Sequence, residues 1–163
     1  MDPQQCREQF ARHLANETEL LGVLEQQLLS EHELLVANDI EKLEVASTTR
    51  QQTIARLLRI HEERGRLCRA RDLSPDAAGF SALLAWCDPE GTLAAAQGDC
   101  ATHAERCRAQ NERNGALVTA RLKRVGGMLG MISGEPATDT YKPRAAAQAS
   151  AFATTGRMVS ISA

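Results

Sequence analysis

Apolar residues near the start of the chain recur with the spacing of one helix face. The members of this set are Phe10, Leu14, Leu21, Leu24, Leu28 and Leu35. Four of the leucines follow one another at intervals of seven residues, which is typical of a helix that packs along an apolar seam. The pattern predicts a first helix from about Pro3 to about Val36, about 50 Å long at 1.5 Å per residue. Such a length favours an elongated bundle or an antiparallel coiled-coil hairpin.

A second, weaker apolar stripe predicts another helix, from about Asp39 to Arg71. Its members are Ile40, Leu43, Ile54, Leu57, Leu58, His61 and Cys68. Ser47 and Arg50 interrupt the stripe at positions where apolar residues are expected. Asn38 is the expected N-cap of this helix, since Glu41 follows it at the capping-box position. The short connection predicts that the first two helices are antiparallel neighbours.

Prolines mark further helix starts. In three places a proline follows a residue that commonly caps a helix, in the pairs Asp2-Pro3, Ser74-Pro75 and Asp88-Pro89. They predict a short connector helix from about Pro75 to Trp86, and a third long helix from about Pro89 to about Met131. Glycines at the end of the third helix, Gly126, Gly127 and Gly130, are expected to erode it.

The connector helix is rich in large apolar residues, which are Phe80, Leu83, Leu84 and Trp86. We expect them to pack against one end of the bundle. An exposed aromatic docking patch is the alternative.

The composition changes at Gly134. Residues 134–163 are small, polar and rich in alanine, serine and threonine, so they carry too little apolar surface to offset their ordering entropy. The sequence therefore predicts an all-α fold, an elongated antiparallel bundle of three long helices with a short connector helix. The bundle domain is expected to span residues 1–133, followed by a flexible tail over 134–163.

Composition and charge exclude several classes of protein. Aromatic residues make up 3% of the 163 residues, which argues against a β-sandwich or barrel. The net charge of −2 argues against a dedicated nucleic-acid binder. No apolar run approaches the ~18 residues of a membrane span, and the polar start shows no signal-peptide core. We therefore expect a cytoplasmic protein with its five cysteines reduced.

Metal and catalytic sites are not indicated. Cys100, His103 and Cys107 share one face of the third helix, but residues seven apart lie about 10 Å apart on a helix, too far for one tetrahedral zinc ion. Small apolar cysteines in a core explain the same pattern. No nucleophile stands beside a plausible base, so we expect no enzyme, no metal and no cofactor.

An apolar cluster lies where the third helix is expected to fray. Its members are Met128, Leu129, Met131 and Ile132. They either close the end of the bundle or form a hydrophobic surface for a partner helix, for which methionine is well suited. Gly115, which follows Asn114 inside the helix, leaves room either for such a partner or for a neighbour within the bundle.

Four local patterns, taken in order along the chain, resemble one known family. The first is the run from Leu28 to Leu35 with Asp39-Ile40-Glu41-Lys42-Leu43 after it. The second is Arg64-Gly-Arg-Leu67-Cys68, and the third and most specific is Asn111-Glu-Arg-Asn114-Gly115-Ala-Leu117. The fourth is a lone tyrosine, Tyr141, after the last helix. Together they resemble the FlgN type of flagellar type III export chaperone over about residues 14–143.

The resemblance implies a cytosolic, non-enzymatic chaperone of the hook-associated proteins at the hook–filament junction. Such a chaperone prevents premature assembly of its client and delivers it to the type III export apparatus. The C-terminal part would bind the client, through Asn114, Leu117, Val125, Met128, Leu129, Met131 and Ile132. Tyr141 would contact the cytoplasmic domain of the export gate, although Lys142 and Pro143 follow it where the family often has glycine or small polar residues.

Other function classes remain as alternatives at this stage. A structural coiled-coil adaptor or self-assembling bundle, without an export role, would oligomerise through the seam of Leu14, Leu21, Leu28 and Leu35. A zinc-binding regulator would hold stoichiometric metal. Neither nucleic-acid binding nor membrane insertion is expected for any of these.

Overall fold

The computed structural model describes residues 2–133 of the chain, and this part contains helices and no strand. The helices are α1 (Pro3–Ala37), α2 (Ile40–Arg69), α3 (Ala77–Cys87) and α4 (Ala94–Ser133). The prediction of an all-α fold with three long helices and a short connector is confirmed. The tail predicted from Gly134 onward, with Tyr141, lies outside the described residues.

Helix α1 is the central helix of the bundle, because both α2 and α4 pack against it. In the described part of the chain, no Cα atom of α2 lies within 8 Å of one in α4. Helix α2 runs antiparallel to α1, whereas α4 runs parallel to α1. The parallel register is visible in two contacts: Cys107 Sγ donates to the Leu21 carbonyl at 3.3 Å, and Asn114 Nδ2 donates to the Leu28 carbonyl at 2.8 Å.

The core consists mainly of the predicted α1 seam. All four heptad leucines are buried, as are Phe10 and Leu24, so the seam prediction is confirmed. Leu24 and Leu28 expose 1% of their surface, and burial of such a side chain contributes about 1.5–3 kcal/mol. The other helices complete the cluster with Cys68, Phe80, Leu83, Cys87, Cys100 and Cys107.

Helix α3 covers the end of the bundle at which α1 begins and α2 ends. Phe80 and Leu83 are buried and belong to the core cluster, and α3 packs against both α1 and α2. Trp86 is half-buried, and the Arg71 guanidinium lies 3.8 Å from the centre of its ring. The prediction that the connector packs against the bundle end is confirmed, and the alternative prediction of an exposed aromatic docking patch is wrong.

The stripe predicted for α2 is only partly correct. Ile40 and Leu58 are exposed, whereas Thr53 and Ile60 face inward. Arg50, which seemed to break the stripe, lies on the inner face because its Nε donates to Oε1 of buried Glu31 at 2.8 Å. Burial raises the pKa of Glu31, and the Arg50 charge offsets part of that rise.

A second buried ion pair joins the same two helices. Oε1 of Glu17 in α1 accepts a hydrogen bond from Nη2 of Arg64 in α2 at 2.9 Å, and Nη1 of Arg64 forms an ion-pair contact with Oε2 at 2.6 Å. The guanidinium carbon also lies 6.0 Å from the ring centre of Phe10 and 5.7 Å from that of Phe80. Arg64 thus contacts α1 and α3 simultaneously through charge and cation–π attraction.

Two predicted caps are displaced at the starts of α2 and α3. Asn38 has φ of 58° and ends α1 in the left-handed conformation, while Asp39 caps α2 by accepting from the Lys42 amide at 3.2 Å. The predicted cap at Asn38 is therefore wrong by one residue. At α3 the cap is Asp76, which accepts from the Gly79 amide at 2.9 Å, and not Ser74.

Both ends of α4 also differ from the prediction. The helix begins at Ala94 and not at Pro89, because the Asp88 carboxylate accepts from the amides of Thr92 and Leu93 and holds a turn in between. At the other end the helix continues through the glycines to Ser133. The predicted erosion is wrong, since each glycine costs only about 1 kcal/mol against the propagation of a long helix.

We predict that Glu17→Ala destabilises the fold by about 3–5 kcal/mol, because it leaves the Arg64 guanidinium buried without its counter-charge. The matched control is Glu105→Ala, which removes an exposed ion pair with Arg108 and should leave stability nearly unchanged. Urea unfolding followed by helical circular dichroism measures both variants. Equal losses would contradict a structural role for the buried pair.

We also predict that the protein loses stability as the pH falls through 6.5, the ordinary pKa of histidine. Burial lowers the pKa of His13 and of His61 in the folded state, so the unfolded chain binds protons more readily there. Comparing unfolding at about pH 7.5 and about pH 5.5 should show a smaller loss for His13→Gln/His61→Gln than for the wild type. An unchanged pH dependence in the double variant would contradict this assignment.

Candidate functional site

Helix α4 is longer than its partner and extends beyond it. In the parallel register Leu21 lies beside Cys107, Leu28 beside Asn114 and Val36 beside Arg121. Helix α1 ends at Ala37, so residues 122–133 of α4 continue past it. This segment, which we call the overhang, is about 18 Å long at 1.5 Å per residue.

Arg121 fixes the point at which the overhang leaves the bundle. Its Nη2 donates to the Val36 carbonyl at 3.1 Å, and its Nη1 donates to Oδ1 of Asn38 at 3.1 Å. A guanidinium at the C-terminus of α1 satisfies terminal carbonyl groups and is favoured by the helix dipole. The base of the overhang is therefore held by hydrogen bonds to the α1–α2 turn.

The face of α4 that packs on α1 changes in character where α1 ends. Inside the bundle this face is small or polar, with Cys100, Cys107 and Asn114 buried and Ala104 and Asn111 half-buried. Continuing at intervals of seven from Ala104 and Asn111, the same face presents Val118, Val125 and Ile132. The large apolar side chains of α4 thus lie toward and beyond the end of the bundle, where α1 no longer covers them.

These residues belong to a longer row with alternating spacings of four and three, which we call the apolar stripe. Its members are Val118, Leu122, Val125, Leu129 and Ile132. The exposed fraction rises along the stripe from 39% at Val118 to 83% at Ile132. Met128, 49% exposed, lies beside the stripe, whereas Met131, 84% exposed, lies on the other side of the helix at 100° per residue. Such spacing matches one face of an amphipathic partner helix.

The structure places most of the predicted binding residues in one exposed segment. Val125, Met128, Leu129, Met131 and Ile132 all lie in the overhang and are exposed. Within the described residues, the alternative in which this cluster closes the bundle end is wrong. Leu117 is half-buried just before the overhang.

Two members of the stripe were missed by sequence reasoning. Val118 and Leu122 are both exposed and complete the regular spacing. The signal that could have found them is the alternation of four and three itself, which runs unbroken from Val118 to Ile132. Val36 and Ile40, in the nearby turn, are also exposed, at 61% and 62%.

Asn114 is the predicted site residue that the structure places elsewhere. Its Nδ2 donates to the Leu28 carbonyl, and its Oδ1 lies 2.9 Å from His32 Nδ1 and 3.2 Å from the donating Nε2 of Gln110. The side chain is buried between α1 and α4. Its hydrogen-bonding groups are occupied within the bundle, so we correct the prediction and leave Asn114 out of the binding surface.

Gly115 has no close neighbour in the bundle. A Cβ atom added there would meet no atom of residues 2–133 within 4 Å, apart from the backbone of its own helix and its chain neighbours. The alternative in which this glycine makes room for another element of the bundle is therefore wrong. Room for a partner helix stays a prediction.

The cysteine and histidine residues of α4 have structural contacts. Burial raises the pKa of both Cys100 and Cys107 to about 12, so the thiols stay protonated, and both lie in the core as expected of small apolar residues. His103 Nδ1 lies 3.0 Å from Oε2 of Glu25. Across residues 2–133, no three His, Cys, Asp or Glu side chains are grouped so as to hold a metal ion.

Among the described residues, none of the helices is both long and apolar enough to cross a membrane. Comparison with protein families gives one assignment. A family model described as FlgN protein matches residues 1–149, which is most of the chain. No curated protein and no solved structure matches the chain.

Adjacent substitutions on α4 should change stability in opposite directions. Asn114→Ala should cost about 1–3 kcal/mol, because it leaves the buried Leu28 carbonyl and its polar neighbours without their partner. Gly115→Ala should gain about 0.5–1 kcal/mol, because the added methyl group meets open space in a helix interior. Urea unfolding of the two variants checks both signs. Stabilisation by Asn114→Ala would contradict the hydrogen-bonded role of this residue.

Proposed function

The chain belongs to the FlgN family and is therefore a flagellar export chaperone, and we propose that its clients are the hook-associated proteins of the hook–filament junction. Members of this family are chaperones and not enzymes. In this proposal the protein works in the cytoplasm, binds a terminal segment of the client, prevents its premature assembly and delivers it to the export apparatus.

The observation that carries the proposal is the position of the large apolar residues of α4. A bundle that only had to fold would place them over α1, yet that part of α4 holds cysteine, alanine and asparagine. The exposed stripe from Val118 to Ile132 instead offers about 21 Å of apolar helix surface, or about four turns. Contiguous exposed apolar surface of this kind marks an interaction site.

The chemistry of the overhang suits a client that must later be released. A single helix face buries a limited area, and the client segment has to order as it binds, which lowers the affinity for a given contact area. Met128 and Met131 can adapt to more than one apolar partner because their side chains are flexible. Covering the client's apolar face in this way would keep it from associating early.

Contact with the export gate is the part of the proposal that rests on the family resemblance alone. Tyr141 is the residue that we assign to the cytoplasmic domain of the gate, and it lies outside the described residues.

The alternative of a self-assembling adaptor loses its expected interface. That alternative required the seam of Leu14, Leu21, Leu28 and Leu35 to be available to other copies. In the folded chain each of these leucines exposes 7% or less of its surface, since α2 and α4 cover them. Association through this seam would require the bundle to open.

We predict that Val125→Asp/Ile132→Asp reduces client recovery at least tenfold, roughly the loss expected when charges enter the apolar centre of a contact. Tagged full-length chains are purified from the cytosol of the native host, and bound proteins are identified by mass spectrometry. The wild type should recover a hook-associated protein.

The matched control is Val23→Asp/Leu58→Asp, which places the same two charges at exposed apolar positions in the middle of α1 and of α2, far from the α1–α2 turn. It should recover as much client as the wild type. Undiminished recovery by the double variant, with its helix content unchanged, would refute binding at the overhang. Failure of the wild type to recover any hook-associated protein would refute the proposed client.

A further inference from the structure

The α1–α2 turn lies beside the base of the apolar stripe. Arg121 joins the two, because its Nη2 donates to the Val36 carbonyl and its Nη1 donates to Oδ1 of Asn38, both at 3.1 Å. Val118 and Val125 of the stripe lie about one helical turn before and after Arg121. The stripe therefore passes the α1–α2 turn where α4 leaves the bundle.

A helix packed on the stripe would lie nearly in line with α1. The residues of α4 that hydrogen-bond to α1 are Cys107, Asn114 and Arg121. At 100° per residue, the centre of the stripe lies about 40° from the centre of that row. At an interaxial distance of about 9 Å, this angle displaces the bound helix about 6 Å from the α1 axis, less than the width of a helix. The end of a helix bound at the overhang therefore meets the α1–α2 turn.

Ile40 is the residue of the turn region that leans toward such a helix. It is the first residue of α2, and the Cα–Cβ bond of a helical residue is tilted toward the N-terminus of its helix. Because α2 begins at this end of the bundle, the tilt directs the Ile40 side chain outward, toward the overhang. Val36 lies in the last turn of α1, so its side chain leans back along the bundle.

The fold makes little use of the Ile40 side chain. It is 62% exposed, and the start of α2 is stabilised instead by the Asp39 carboxylate, which accepts from the Lys42 amide. A single exposed apolar residue needs no explanation, but one that borders a contiguous apolar surface enlarges it. Ile40 therefore extends the surface of the stripe onto a second helix.

We propose that Ile40 is a second contact point of the chaperone with its client, outside α4. The client segment that occupies the overhang ends at the α1–α2 turn, and a large apolar side chain at that end packs on Ile40. The turn thereby limits the bound helix to the length of the overhang, about 18 Å or about twelve residues. This inference rests on the proposed function and adds a contact residue, together with the length of the bound segment and the chemistry of its end.

The substitution Ile40→Asp tests the contact. Aspartate is favourable in the first turn of a helix, so the variant should keep the helix content of the wild type. The probe is the hook-associated protein recovered from the native host, purified and titrated against each full-length variant by isothermal calorimetry. Ile40→Asp should weaken binding at least tenfold, because its charge would be buried against an apolar side chain.

The matched control is Leu58→Asp. Leu58 follows Ile40 by five full helical turns, so it lies on the same edge of α2, and it is also exposed, at 43%. It lies about 27 Å from Ile40 along the helix, away from the overhang. The control should bind the client as tightly as the wild type does. Equal losses of affinity in the two variants would overturn the inference.

Photo-crosslinking locates the end of the client segment. The photoreactive residue p-benzoylphenylalanine replaces Ile40, Leu58 or Val125 in separate full-length chains that are expressed in the native host. Positions 40 and 125 should both crosslink to the client, and position 58 should not. Peptide mapping should place the two crosslinks in one client segment, no more than about twelve residues apart.

The outcomes separate this inference from the proposed function. A crosslink at position 125 without one at position 40, or wild-type affinity of Ile40→Asp, would overturn the contact at the turn and leave client binding at the overhang intact. Crosslinks from positions 40 and 125 to two different client segments would also overturn it. If the wild type recovers no hook-associated protein and none of the three positions crosslinks to one, the inference and the proposed client are both wrong.

Discussion

The buried pair of Glu17 and Arg64 is the constraint on which the rest of the bundle depends. A charge in the core is tolerated only with its partner in place, and Arg64 is further fixed between Phe10 and Phe80. The second pair, Glu31 with Arg50, lies 14 residues away along both helices. Sliding α2 along α1 by one heptad would unpair both charges at once, so the pairs select one register where leucine packing alone would permit several.

That register determines where the functional surface lies. Once α1 and α2 are aligned, their turn at Asn38 becomes the end of the bundle, and Arg121 attaches α4 to it. Everything in α4 beyond this point is outside the bundle. Because the inner face of α4 is small and polar up to Asn114, packing on α1 uses few of the large apolar residues that follow. The same helix therefore serves folding with one half and binding with the other.

Local patterns in the sequence predicted the elements well, and contacts between elements explain what they missed. The α1 leucines repeat on one helix, so their burial follows from spacing alone. Arg50 looks like a defect in α2 because its partner, Glu31, is on another helix. Asn114 looks like a surface residue for the same reason, since the Leu28 carbonyl that it binds is far away in sequence. The overhang itself depends on the register between α1 and α4, which no single helix encodes.

An exposed apolar stripe carries a risk that the surrounding charges reduce. Two copies of such a stripe could bury each other, and aggregation through exposed apolar helix surface is a general hazard. Juxtaposed overhangs would also bring Lys123 and Arg124 of one copy near those of the next, with no acidic residue in the segment to neutralise them. Like charge disfavours that association while favouring a partner of opposite charge. The positive charge of this segment therefore helps to keep the stripe accessible in the free chaperone.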